Sequence, residues 1–272
     1  MFRAMTSASS SSAPTIIVFG NEKGGTGKST LAFHVAVAAM AGGAKVATVD
    51  LDAGQGTLSR LIANRRDYAR RTGRALAVPE HAAVLPAAHQ DADEAAFVKA
   101  LASFQDCDVV VVDTPGHASS LSLAGHSFAD IVVTPLNDSL VDLDVLARVD
   151  PAALSVQSPS TYAEQIWKAK QLRARRDGGR LDWVIVRNRL GALDARNKRR
   201  VADLMQALVK RFGCRVADGI GERVVFRELF LDGLTVEDLD PAQDRLSMSH
   251  IAARAEIRTL MMALLGPGIK LG

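Results

Sequence analysis

The chain has 272 residues, 48% hydrophobic and 23% charged, with 33 Lys and Arg against 30 Asp and Glu for a net charge of +3. That is the composition of a folded protein long enough for one large α/β domain, and a balance this even does not by itself indicate a nucleic-acid partner. Cys107 and Cys214 are far apart, which argues against a disulfide framework or a zinc site and fits a reducing cytosol, and no apolar run reaches membrane-spanning length.

Residues 1–14 are rich in Ser and lack the apolar stretch of a secretory signal, so they are expected to form a disordered tail. A single domain is expected over 15–266, with a short tail at 267–272. Thr15 to Phe19 reads as a strand stopping at Gly20. A helix follows from about Lys28 to Met40, closed by Gly42 and Gly43. The strand 44–49 ends in Asp50, and a helix is expected from about Gly56 to Arg71. Residues 72–90, with Pro79 and Pro86, read as irregular. A helix near 92–105 leads to the strand 108–113, and further strands are expected at 130–135 and 181–186. These strands are continuous apolar runs, the pattern of a parallel sheet covered on both faces. Strand–helix alternation predicts a doubly wound α/β fold with a mostly parallel sheet flanked by helices, and ligands at the carboxyl ends of its strands.

The segment from Gly20 to Thr30 lies between a strand and a helix, the context a phosphate-binding loop requires. Gly24, Gly25 and Gly27 let backbone N–H groups approach phosphate oxygens, and the helix that follows points its positive end at the same anion. Lys28 is placed to reach the β- and γ-phosphates and Ser29 to ligate Mg²⁺. The candidate nucleotide-binding residues are thus Glu22, Lys23, Gly24, Gly25, Thr26, Gly27, Lys28, Ser29 and Thr30. Glu22 stands where the standard pattern has its first Gly, and Lys23 directly precedes Gly24 and Gly25. This arrangement resembles the deviant Walker A motif of the ParA/MinD ATPases. The resemblance implies that two ATP-bound subunits face each other and that Lys23 reaches the partner's phosphates, a positive charge supplied in trans.

Two carboxylate segments extend the resemblance. Asp50, Asp52 and Gln55 match the family's first switch, which implies that Asp52 positions the attacking water and Asp50 lies near Mg²⁺. Asp113 closes an all-valine strand and matches a Walker B aspartate holding Mg²⁺ through water. Thr114, Pro115 and Gly116 then form a second switch that senses the γ-phosphate. Asn188 follows the strand 181–186, where an Asn can pair both polar edges of adenine or serve a turn.

Later stretches narrow the resemblance to the MipZ family of ParA/MinD-like proteins: 134–142, 183–190, 194–200 and 223–230. It implies an ATPase that is slow, cytoplasmic, nucleoid-associated and enriched towards the poles. Its ATP dimer would bind DNA without sequence preference, associate with ParB and inhibit polymerisation of FtsZ. The segment 194–212 supplies residues for one of these expectations. Val201, Leu204, Met205, Leu208, Val209 and Phe212 recur at helical spacing, and Arg196, Lys198, Arg199, Arg200 and Lys210 form a basic face suited to phosphates or simply to solvent. The C-terminal helix, 251–265, is apolar on nearly every face with sparse basic residues, which favours packing on the core over a membrane anchor. A ParA-type segregation ATPase and a metabolic ATP-dependent enzyme remain the alternatives.

Overall fold

The computed structural model describes residues 13–87, 89–137, 140–150, 155–191, 195–240 and 246–266; residues 1–12 of the expected N-terminal tail, and all of 267–272, lie outside the described residues. The strands are β1 (Thr15–Phe19), β2 (Val46–Asp50), β3 (Glu80–Ala83), β4 (Val109–Asp113), β5 (Ile131–Asn137), β6 (Ala147–Asp150), β7 (Ser155–Pro159), β8 (Asp182–Asn188) and β9 (Arg215–Ala217). Seven of them form one sheet in the order β3-β2-β4-β1-β5-β8-β9, with every neighbouring pair parallel. Strands β6 and β7 pair antiparallel as a separate hairpin.

The apolar runs form strands because both faces of the sheet are covered. Side chains alternate between faces, so Val110 and Val112 of β4 join one core with Val18, Val132 and Ile185, while Val109 and Val111 join another with Ile17, Phe19 and Val184. The first core is closed by α3 (Gln90–Ala102), α4 (Ser120–Phe128), α6 (Thr161–Asp177) and α7 (Ala195–Phe212), through Phe97, Leu121, Ile166, Leu204 and Leu208. The second is closed by α1 (Lys28–Ala41) and α9 (Met248–Leu265), through Leu31, Val35, Ile257 and Leu260. Helix α2 (Thr57–Thr72) packs Leu58, Leu61 and Ile62 on Phe33 and Val37 of α1. Two single-turn helices, α5 (Leu140–Leu143) and α8 (Val225–Glu228), complete the helices among the described residues.

The structure corrects one expectation directly. Residues 72–90 are not wholly irregular, because 80–83 form the edge strand β3, paired to β2. Helix α9 lies against α1 with Ala253, Ile257, Leu260, Met261 and Leu264 buried, so one apolar face packs on the core while Met248, Ile251 and Met262 stay exposed. Among the described residues no helix is long and apolar enough to cross a membrane.

Chain order and register set the site. The connection after β1 leads towards β2, whereas the chain continues from β5 to the far side, so the crevice at the carboxyl ends of β1 and β5 is a topological switch point. Register brings Phe19, Asp113 and Asp50 into one row across β1, β4 and β2. The loop after Phe19 therefore opens beside two strand-terminal carboxylates.

Candidate nucleotide-binding site

The loop between β1 and α1 is held by its own side chains. The Asn21 amide donates to the Pro135 carbonyl at 2.7 Å, and its oxygen accepts the Lys23 N–H at 2.7 Å. Gly27 has φ 90°, in the left-handed region, and a Cβ there would run into Asn188 Nδ2. Asn188 closes β8 and donates to the Thr26 carbonyl at 2.7 Å, so it braces the loop from behind. No side chain caps α1 at Gly27, which leaves the N–H groups of its first turn free for an anion.

A second support reaches the loop from the core. The Trp183 indole donates to Thr134 Oγ1 at 2.9 Å, Thr134 and Tyr162 hydroxyls lie 2.8 Å apart, and the Tyr162 hydroxyl donates to the Gly20 carbonyl at 2.7 Å. Tyr162 gives its only proton to Gly20, so Thr134 gives its own to Tyr162. His126, buried beside Tyr162 with both ring nitrogens unpartnered, closes over Gly20.

Two adjoining cavities lie on this loop and share Gly27, Thr30 and Arg189. The larger, about 490 Å³, is lined by 24–30 together with Asp52, Gln55, Thr57, Gly116 and His117. The smaller, about 140 Å³, is lined by Leu31, Asn188, Ile220, Phe226 and neighbouring polar residues. Gly116 approaches so closely that a Cβ would lie 3.4 Å from Lys28 Nζ. Thr114 fixes the preceding turn by donating its hydroxyl to the Phe19 carbonyl at 2.9 Å, and Pro115 is buried beside it.

The charges are arranged about Lys28. Burial lowers its pKa, against the pull of Asp113 and Asp52. Asp113 is 1% exposed, and burial pushes its carboxyl up to about 7 although a hydrogen bond from Ser29 opposes that rise. Its Oδ1 has no partner. A buried carboxylate oxygen left unpaired beside a Ser hydroxyl and a Lys amine fits a bound cation. Burial also raises the Asp52 carboxyl, and the Asp50 charge adds to the rise. Asp50 is buried and engaged, with Oδ1 accepting the Asp52 N–H at 2.9 Å and Oδ2 accepting the Ser59 N–H at 3.0 Å and its hydroxyl at 2.7 Å. It stands one step behind the cleft wall that Asp52 forms.

Lys23 is half-exposed at the loop's rim and forms an ion pair with the buried Asp142 of α5. Glu22 is partly buried with Oε1 unpartnered, and burial raises its pKa. The expected residues 24–30, Asp52, Gln55 and Gly116 line one cleft, with Asp113 bonded to Ser29 and Asn188 bracing the loop, whereas Lys23 sits at the rim and Glu22 lines a separate pocket with Gln90, Thr161 and Gln165. The basic residues Arg196, Lys198, Arg199 and Arg200 lie on α7, and their side chains, like Asp194 itself, fall outside the described residues. Lys210 is exposed on the same helix.

Three participants were not anticipated as site residues. Arg189 lines both cavities with φ 54°, His117 lines the larger one, and Asp142 holds Lys23. A left-handed non-glycine residue and a pair separated by 119 positions leave no local signal in the sequence.

A parallel sheet carrying a glycine-rich loop, an uncapped helix start, a buried Lys and strand-terminal aspartates defines a P-loop nucleotide-binding protein of the ParA/MinD type. The family model for the ATPase MipZ matches residues 15–268, and the chain belongs to that family. No curated protein sequence matches significantly. Among solved structures the chain is similar to the MinD cell division protein of Aquifex aeolicus, at 17% identity and a TM-score of 0.57, covering 95% of this chain and 99% of that one. It is similar to a D38A McdA–ATP complex from Cyanothece, at 14% identity and a TM-score of 0.57, covering 92% and 97%. It is also similar to cobyrinic acid a,c-diamide synthase of Mycobacterium smegmatis with ADP and magnesium, at 20% identity and a TM-score of 0.58, covering 95% and 98%.

Proposed function

We propose that the protein is an ATP-driven dimerisation switch that positions the division site, slow in turnover, acting in the cytoplasm on the nucleoid and towards the poles. The observation that carries the reading is the open α1 terminus with Lys28 in the cleft, and the unpartnered Asp113 Oδ1 buried behind Ser29. Bound ATP with Mg²⁺ supplies the transferable phosphoryl group and the neutralisation of its charge. The chain's residues do the rest. Loop N–H groups and Lys28 hold the phosphates, and Ser29 and Asp113 hold the cation, with Asp50 behind them. Asp52 orients water from the cleft wall. The cleft's second wall, Thr114 to Gly116, follows the γ-phosphate. Asn188 and the smaller cavity take the base. Lys23, half-exposed on the rim and paired with Asp142 in this state, is the charge that would be offered to a facing subunit.

Family membership supports the output: an ATP dimer that binds DNA without sequence preference through α7, associates with ParB and restrains FtsZ assembly. The experiment is sizing with ADP and with ATP. Wild type is expected to shift towards dimer with ATP, Lys23→Ala to stay monomeric, and Asp52→Ala to accumulate as dimer. A monomeric Asp52→Ala protein that still binds ATP sinks the switch. FtsZ sedimentation with the ATP-bound protein separates this output from ParA-type cargo segregation, which predicts no effect there.

A further inference from the structure

The edge strand β3 brings a histidine to the back of the first switch. His81 pairs in register with Thr48 of β2, and both side chains point to the same face. Thr48 Oγ1 lies 2.9 Å from His81 Nδ1, and His81 Nε2 lies 3.0 Å from Ser59 Oγ. Ser59, in the first turn of α2, gives its hydroxyl proton to Asp50 Oδ2 at 2.7 Å. That donation fixes the rest. Ser59 Oγ has only lone pairs left for the ring, so His81 carries its proton on Nε2. Burial lowers the His81 pKa, and Nδ1 lies beside the Thr48 hydroxyl, which also donates to the Glu80 carbonyl at 3.1 Å. The protons of His81 Nε2 and Ser59 Oγ both point towards Asp50, whose other oxygen holds the Asp52 N–H at 2.9 Å.

We propose that His81 and Ser59 are positioning residues for ATP hydrolysis, aligning Asp52 through Asp50. The inference rests on the role proposed above for Asp52. It differs from a plain helix-start contact, because Ser59 N–H alone would satisfy α2 at 3.0 Å without any histidine. A carboxylate that accepts three hydrogen bonds, one backed by a half-buried ring, has one orientation, and the peptide it holds moves with it.

The test compares His81→Leu, Ser59→Ala and the rescue variant His81→Gln, whose amide N–H reaches as far as Nε2. His81→Leu and Ser59→Ala are expected to lower kcat about tenfold while leaving KM for ATP within about twofold, and to lengthen the lifetime of the ATP-bound dimer. His81→Gln should recover most of the loss. In ¹⁵N spectra of labelled wild-type protein without nucleotide, His81 should show the Nε2–H tautomer. An Nδ1–H tautomer overturns the proposal, since the ring would then donate away from Asp50. So does a loss that falls equally on KM, or one that His81→Gln fails to repair. Should His81→Leu not fold, Ser59→Ala and the tautomer decide. Asp52→Ala is run alongside. If it fails to accumulate dimer, the switch reading has failed; if it does so while His81→Leu and Ser59→Ala behave as wild type, only the positioning role has.

Discussion

Two constraints meet at Gly27: a left-handed backbone and the Asn188 amide where a Cβ would sit. Gly27→Ala must bear the conformational cost, about 1–2 kcal/mol, and also displace Asn188 from the Thr26 carbonyl. The expected outcome is a loss of nucleotide affinity of about tenfold or more with the fold retained, measured by titration with a fluorescent ATP analogue and by circular dichroism. Buried histidines set a second expectation. Burial lowers His126 to about 3 and His34 to about 4, so both stay neutral in the fold and charge on unfolding. Below the ordinary value of 6.5 the unfolded chain binds more protons, so stability falls as pH falls. Each histidine removes about 2 kcal/mol between pH 6.5 and about pH 5, a slope of ~1.4 kcal/mol per unit. Urea denaturation across that window should show this loss less the opposite contribution of the raised Asp113 carboxyl, which takes up its proton in the fold, and His126→Leu should lower the slope by about 1.4 kcal/mol per pH unit. An unchanged slope in that variant would mean that the ring finds a partner or solvent in solution.

Among the elements, α2 is tied to the loop 233–238 by one buried pair. Arg65 is 1% exposed, donates to both Asp238 carboxylate oxygens at 2.7 Å, and reaches the Ala77 and Gly233 carbonyls. Asp238→Ala leaves an uncompensated buried guanidinium and should cost about 3–5 kcal/mol in chemical denaturation. Arg65→Lys should fail to restore it, because an ammonium cannot make the forked contact. How far elements could be read from sequence follows the same logic of burial. Strands β1, β2, β4, β5 and β8 are legible because cover on both faces makes each an unbroken apolar run. Strand β3 is not: Glu80 to Ala83 sits at the edge, carries Glu and His, and joins the sheet through β2 alone. The β6–β7 hairpin is short and lacks a turn signal of the strong type. The phosphate loop is legible because glycine spacing is itself the mechanism, whereas the His81–Ser59–Asp50 series spans three elements and exists only once they pack.

For the molecule as a whole, output depends on joining one compact site to a distant surface. Helix α7 buries Leu204, Met205 and Leu208 and leaves Lys210 exposed, so its opposite side is available to an external anion. Glu at Arg196, Lys198, Arg199 and Arg200 together should abolish retention on DNA by the ATP dimer without changing ATP affinity. Single Ala variants should weaken binding and reduce the dependence of log K on log salt by about one unit for each phosphate that is no longer neutralised. Filter binding at several salt concentrations reads both. Beneath these surfaces runs the line from Trp183 through Thr134 and Tyr162 to Gly20, crossing β8, β5, α6 and β1. Each hydroxyl owns a single hydrogen and spends it in the forward direction, so the line behaves as a queue. Remove the phenol with Tyr162→Phe and the Thr134 hydrogen loses its acceptor while the Gly20 carbonyl loses its donor. Remove the middle with Thr134→Val and an indole is stranded behind while the phenol loses its donor, so a break at either hydroxyl is felt on both sides of it.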